Sequence, residues 1–281
     1  MITTTKTSMP IQTQPDLISQ YHKDGFIRIP GVLTPEQVSW LRSFALERFN
    51  KPSNERYPGD LDPVLFDPWN RYPELRFLLF LEPKVNILKK LLGEDYVILA
   101  DSAIHRGYFA GWHKDSTNLE RAGYRFHYEP DYRMVVTAYY LQDADPVFGG
   151  GLDVEPGTHV ENHDKFFRAE KPGTIQKLFN KFVPPKTKDP LVKRIHSIPS
   201  KAGDLIIFNF RLTHRATPNT AEDRSLAPTK LGIFQTYSAN NRHVESYKRF
   251  TLGVEQYLYL KNFAWNTQLQ QMAANIGVRL G

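Results

Sequence analysis

From Val38 onward, apolar residues return at Leu41, Ala45 and Phe49, the three-and-four spacing that lays one stripe along a helix. The residues just before mark where that helix starts. Thr34 can cap it, Pro35 suits the first helical position, and Gln37 completes a capping box. A second helix is predicted from about Pro83 through Leu92, with Gly93 as its stop. A shorter one is predicted over Asp16–His22, followed by a strand, Gly25–Pro30, that proline ends. Past residue 95 the texture changes. Tyr96–Ala100, Arg133–Leu141, Asp204–Phe210 and Lys230–Tyr237 are β-branched or aromatic runs bounded by turn residues, and each reads as a strand. Helices first and strands afterwards predict a mainly β fold with flanking helices, built as a sandwich or barrel. Phe77–Leu81 is expected in the core, and the pairs Tyr139-Tyr140 and Phe166-Phe167 in core or lid packing.

The 281 residues suit one domain over 17–281. Residues 1–16, rich in Thr, Gln and Pro, are expected to form a disordered tail. A proline-bearing stretch at about 160–200 interrupts the strand series and reads as an insertion or lid. No apolar run approaches the roughly 18 residues that a membrane span needs. The tail also lacks the apolar centre of a secretory signal. There are no cysteines, which excludes disulfides, thiolate nucleophiles and Cys-ligated metals and fits a cytoplasmic location. The net charge is +6, yet Lys165 to Lys201 alone carry ten Lys or Arg against two acids, so the excess is local. A solvated basic loop explains it, and so does attraction for an anionic substrate; no nucleic-acid recognition module accompanies it.

Candidate chemistry lies at Trp112-His113-Lys114-Asp115. In extended chain, residues i and i+2 point to one side, so the His113 imidazole and the Asp115 carboxylate could bind one ion. His214, just past the apolar strand Asp204–Phe210, is the candidate third ligand. Two imidazoles and one carboxylate on one face, with other positions open, form the facial triad of non-haem Fe(II) oxygenases. A lone His-x-Asp is equally a surface pair or a hydrogen-bonded histidine, and that alternative stands at this point. Gly149–Gly151 and Pro156-Gly157 read as turns with unusual dihedrals, and His159 as part of the turn. Arg121, Tyr124, Arg125 and His127 follow Asp115 in a loop that either covers the site or is simply exposed.

Four segments together resemble phytanoyl-CoA dioxygenase-type proteins of the Fe(II)/2-oxoglutarate-dependent oxygenase superfamily. They are Tyr21–Gln37, His113-Lys-Asp115, Gly150-Gly-Leu-Asp-Val-Glu-Pro-Gly-Thr-His159, and Gly203–His214 with Pro218-Asn219. The resemblance implies a double-stranded β-helix, a jelly-roll or cupin-like core. It implies that His113, Asp115 and His214 hold Fe(II), with 2-oxoglutarate and O2 as cosubstrates. A basic residue beyond the distal histidine would grip the far carboxylate of 2-oxoglutarate. Arg224 has the expected type and spacing; Ser225–Thr229 separate it from the strand at Lys230, which makes Lys230 its rival. Arg106 is a further candidate at the same subsite, with a solvent-facing role the alternative. The implied reaction oxidises, most simply hydroxylates, an unactivated C–H bond of a small-molecule metabolite of the secondary-metabolite kind, releasing succinate and CO2. Asp115 occupies the place that a halide takes in halogenating relatives, so halogenation is disfavoured. The competing readings are a cupin-like non-oxygenase metal-binding protein or isomerase, and a nucleic-acid binder using the 165–201 lysines.

Overall fold

The computed structural model describes residues 14–52, 63–107, 111–166 and 191–281. Helix α1 (Gln14–Asp24) leads into β1 (Phe26–Ile29), then α2 (Pro35–Phe49), β2 (Val64–Phe66), α3 (Pro68–Arg71) and α4 (Glu82–Leu92). Next come β3 (Val97–Arg106), α5 (Thr117–Arg121), β4 (Met134–Tyr140), β5 (Leu152–Glu155) and β6 (His196–Ser197). Last are β7 (Leu205–Asn209), β8 (Thr213–Ala216), β9 (Leu231–Ser238), α6 (His243–Leu252), α7 (Thr267–Asn275) and β10 (Arg279–Leu280). The larger sheet has the order β1-β7-β4-β9-β3-β10, with β2 also paired to β3; the smaller is β6-β5-β8. Pairings are antiparallel except β10 with β3. This is the predicted class: mainly β with flanking helices, in a jelly-roll arrangement.

Strand β4 shows why its sequence is an unbroken apolar run. All seven residues are buried, because both faces of the sheet are covered. Val135 and Tyr139 enter a core shared with the helices, where Leu41, Phe49, Ile87 and Leu88 meet them. Met134, Val136, Ala138 and Tyr140 point the other way, into the space between the sheets. The helices earn their places by the pattern already noted. Thr34 Oγ1 accepts the Gln37 N–H at 3.2 Å, and the Thr34 N–H is returned to Gln37 Oε1 at 2.9 Å. Val38, Leu41, Ala45 and Phe49 are all buried, joined by Phe44. Helix α4 stops at Gly93, whose φ of 107° is closed to most side chains. It also carries Lys84, fully buried, whose Nζ donates to the Tyr237 hydroxyl at 2.8 Å and to the Leu78 carbonyl.

Several boundaries differ from the sequence reading. α1 begins at Gln14, inside the stretch expected as a tail, while residues 1–13 lie outside the described residues. Most of the expected insertion, 167–190, lies outside them too. The strand predicted to end at Ala100 continues to Arg106. Its register against β9 shifts between Ile98 and Ser102, so polar Asp101 and Ser102 belong to an irregularity within a strand, not to its end. The Gly150–His159 motif is a turn on each side of a strand, β5. Gly149 has φ 72°, and a Cβ there would collide with the carbonyl oxygens of Thr217 and Pro218. Among the described residues no helix is long and apolar enough to cross a membrane. Thr34→Ala should lower unfolding free energy by about 1 kcal/mol in urea denaturation, the worth of a lost N-cap; an unchanged midpoint would show that the box does not hold α2.

Candidate metal centre and its cavity

His113 and His214 are joined through the backbone before their side chains are considered. The His113 N–H donates to the His214 carbonyl at 3.0 Å, and the His214 N–H returns the bond at 2.9 Å. This isolated bridge brings the segment before Asp115 to the edge of β8, which on its other side pairs Val154 with His214. The imidazole centroids are 4.3 Å apart. Each ring is turned the same way: Nδ1 bonds the carbonyl two residues back, Gly111 at 3.0 Å for His113 and Leu212 at 2.9 Å for His214. That fixes Nδ1 as the protonated nitrogen and leaves Nε2 as a lone-pair donor, the arrangement a metal-binding histidine needs. Asp115 Oδ1 lies 3.8 Å from His113 Nε2 and 3.7 Å from His214 Nε2. The three donor atoms lie within 4.8 Å of one another, and two imidazoles plus a carboxylate suit a borderline divalent ion.

Neighbouring residues keep this arrangement in place. Lys114, between the two prospective ligands, is buried and donates to the Thr158 carbonyl at 2.8 Å and to Glu161 Oε2 at 3.0 Å. Thr158 in turn accepts the Thr213 N–H at 3.0 Å, one residue before His214. Arg215 lies over the Trp112 ring at 4.7 Å and pairs with buried Asp153 at 3.0 Å. Trp112-His113 and His214-Arg215 therefore match residue for residue across the bridge. His159 is buried, with its ring beside Tyr21 and Nε2 near the His22 carbonyl at 3.2 Å, so the turn histidine serves packing. His127 is fully buried. The stretch after Asp115 is mixed, with Arg121 and Arg125 exposed and His127 packed inside, and of its four candidates Arg121 alone lines the cavity.

The triad opens on a cavity of about 670 Å³ between the sheets. From β9 inward-facing positions alternate as Gly232, Phe234 and Thr236, preceded by Lys230. Lys230 is buried, its Nζ bonding the Gly151 carbonyl at 3.1 Å and lying 5.1 Å from the Tyr140 ring centre. Burial depresses its ammonium to about 7, with Asp153 opposing that shift. Arg224 begins a short turn, Arg224–Leu226, and its side chain lies outside the described residues. Arg106 is turned to the other face of β3 from His105: its guanidinium lies over Phe49 at 4.9 Å and reaches Asn50 Oδ1 at 3.4 Å. The alternation of β3 explains this, since odd positions 103 and 105 line the cavity. Sequence reasoning passed over His105 and Asp101, both on that wall; the same alternation, carried past Ala100, was the signal that could have found them. A second group with ligand-type atoms, Glu129, Asp131 and His243, lies elsewhere. There Arg242 already pairs with both carboxylates, which makes it an ion-pair knot.

A family model, Phytanoyl-CoA dioxygenase (PhyH), matches residues 21–225, most of the chain. The chain belongs to this family. Solved structures share its fold. SnoN, described as an alpha-ketoglutarate-dependent epimerase from nogalamycin biosynthesis, superposes with TM-score 0.54 at 15% identity, over 82% of this chain and 85% of that one. SnoK, a carbocyclase from nogalamycin biosynthesis, gives 0.53 at 17%, over 84% and 91%. HygX from Streptomyces hygroscopicus, solved with nickel and 2-oxoglutarate bound, gives 0.55 at 16%, over 82% and 88%. No curated protein matches the sequence. Within the family's core the phytanoyl-CoA dioxygenase-type motifs fall on the bridge, the Gly turn and β8.

Burial pushes the Asp115 carboxyl up to about 6, against the pull of His113, while burial keeps His214 neutral far below its ordinary value. A raised carboxyl holds its proton until about pH 6, so protons compete with a metal below that point. Mn(II) affinity, followed by calorimetry, should fall at least tenfold for each pH unit below about 6. A flat profile from 7 down to 5 would remove Asp115 from the ligand set.

Proposed function

We propose that the protein is a non-haem Fe(II)- and 2-oxoglutarate-dependent oxygenase that oxidises a C–H bond of a small-molecule metabolite. The observation that carries this reading is one cavity holding three convergent metal-type donors and, on the same wall, a buried lysine. His113, Asp115 and His214 would hold the iron. Iron with 2-oxoglutarate and O2 supplies, when bound, the oxidising power for an unactivated C–H bond, with succinate and CO2 released. The protein's own residues then have defined tasks. Lys230 offers a positive charge to the far carboxylate of 2-oxoglutarate, with Tyr140 beneath it. Leu152, Phe208, Phe210 and Phe234 line the space and exclude water from it. Lys114 and Arg215 keep the bridged histidines in register.

Family membership supports the cofactor chemistry, and hydroxylation is the simplest outcome of it. SnoN and SnoK show by their descriptions that epimerisation and ring formation occur on this fold, so the outcome depends on how the substrate lies. We read residues 17–281 as one such domain: β1 pairs with β7, and β10 with β3, so the first and the last strand of the described residues join the same sheet.

Anaerobic addition of Fe(II) and 2-oxoglutarate should give the weak visible charge-transfer band of the chelate, lost in His113→Ala. Lys230→Met should keep iron binding but weaken 2-oxoglutarate by about tenfold to a hundredfold, the worth of a charged hydrogen bond. Normal 2-oxoglutarate affinity in Lys230→Met, with loss in Arg224→Met, would pass the role to Arg224. A folded, iron-loaded wild type with no band would end the oxygenase reading. The ammonium of Lys230 is depressed, so it loses its proton above about pH 7. The dissociation constant for 2-oxoglutarate should therefore rise about tenfold per pH unit above 7, and Lys230→Arg should flatten that rise.

A further inference from the structure

Six residues along β9 from Lys230, the chemistry of the cavity wall reverses. Thr236 faces inward there, and its Oγ1 donates to Asp101 Oδ2 at 3.2 Å. The Tyr247 hydroxyl of α6 donates to the same oxygen at 2.6 Å. The Tyr259 hydroxyl stands close by, buried and within reach of the Asp101 carboxylate and the Ser102 backbone. Asp101 itself lines the cavity, at the irregular step in β3 where the strand shifts register against β9. Among the described residues hydroxyls meet this carboxylate and no lysine or arginine pairs with it. Burial, with Asp115 nearby, disfavours its charged form. A deep carboxylate facing an open cavity without a counter-ion is costly, and an arriving cation removes that cost. The walls beside it are apolar or aromatic: Val136, Phe208, Phe210 and Tyr257. Rings and an acid at one end of a cavity match an organic ammonium, whose body packs on the rings while its charge meets the acid.

We propose that Asp101 is the specificity-determining residue for a protonated amine on the substrate. That the ligand is a substrate rests on the oxygenase reading; that the pocket selects amines does not. Oδ2 stays with Thr236 and Tyr247, and Oδ1 takes the ammonium. Lys230 and Asp101 thus divide the cavity into an end for an anionic cosubstrate and an end for a cationic substrate. This inverts the expectation drawn from the basic 165–201 segment, most of which lies outside the described residues.

The test uses phenylalkylamines from benzylamine to 4-phenylbutylamine, each titrated by calorimetry against its alcohol, on the full chain with and without Fe(II) and 2-oxoglutarate. In wild type the best amine should bind at least tenfold tighter than its alcohol. Asp101→Asn keeps an acceptor for Thr236 and Tyr247; it should abolish that preference by weakening the amine while leaving the alcohol and the charge-transfer band unchanged. Asp101→Glu, one methylene longer, should move the preference to the next shorter amine. Equal binding of amines and alcohols throughout the series, or no binding of either, overturns the proposal without any variant. Retention of the amine preference in Asp101→Asn overturns it too and leaves the carboxylate as a structural link between α6 and the sheet. Loss of the band in wild type with the amine preference intact would sink the oxygenase reading alone.

Discussion

Everything at the centre of this protein depends on two hydrogen bonds between His113 and His214. They are ordinary backbone bonds, yet they join a segment of irregular chain to the end of a buried strand. Once the two backbones are locked side by side, the side chains have little choice. Both rings emerge on one face, each is pinned by its Nδ1 to a carbonyl two residues back, and Asp115 follows at the i+2 position. The same register aligns Trp112 with Arg215, so a cation–π contact supports the pair from the flank. A site assembled through main-chain geometry tolerates many changes in surrounding side chains, which fits a fold kept at 15–17% identity among the structures compared.

Three buried charges show how differently the fold treats similar groups. Lys84, Lys230 and Asp101 are all pushed toward their neutral forms by burial. Lys84 sits in the helix-side core, bonded to Tyr237 and Leu78, away from the lining of the central cavity. Its cost is met inside the protein, so it belongs to architecture. Lys230 is buried and Asp101 half-buried, but both face shared space. The low dielectric that makes them expensive in isolation also makes each a strong and selective partner once an opposite charge arrives.

The sequence was most informative where local rules act alone. The capping box, the stripe Val38-Leu41-Ala45-Phe49 and the Gly93 stop all lie where composition and spacing place them. The main strands were legible because both their faces are buried, which writes them as apolar runs. The metal-type residues were legible through motifs, since their chemistry restricts residue type. What stayed hidden depends on long-range pairing. Asp101 interrupts an apolar run and so reads as a strand end; only its partner β9, more than a hundred residues on, shows that the strand continues. Arg106 was attractive by charge, but alternation along β3 turns it to Phe49. Type and spacing from His214 favoured Arg224 over Lys230, but distance along the chain does not say which residue the strand start carries inward. The two C-terminal helices left no mark in the sequence reading: their apolar faces are short and broken.

One strand spans the cavity from Lys230 to Thr236, and its inward positions are spaced by the pleat. That makes β9 a ruler. Six residues of extended chain cover about 20 Å, a length that neither rotamer changes nor loop motion can alter. Were the cosubstrate seated at one end and a substrate amine at the other, as proposed, the atom presented to the metal would be chosen by its distance from that amine. Substrates differing in chain length would then be oxidised at different carbons counted from the far end, but at the same carbon counted from the nitrogen. Regioselectivity would be a property of the sheet and not of the loops.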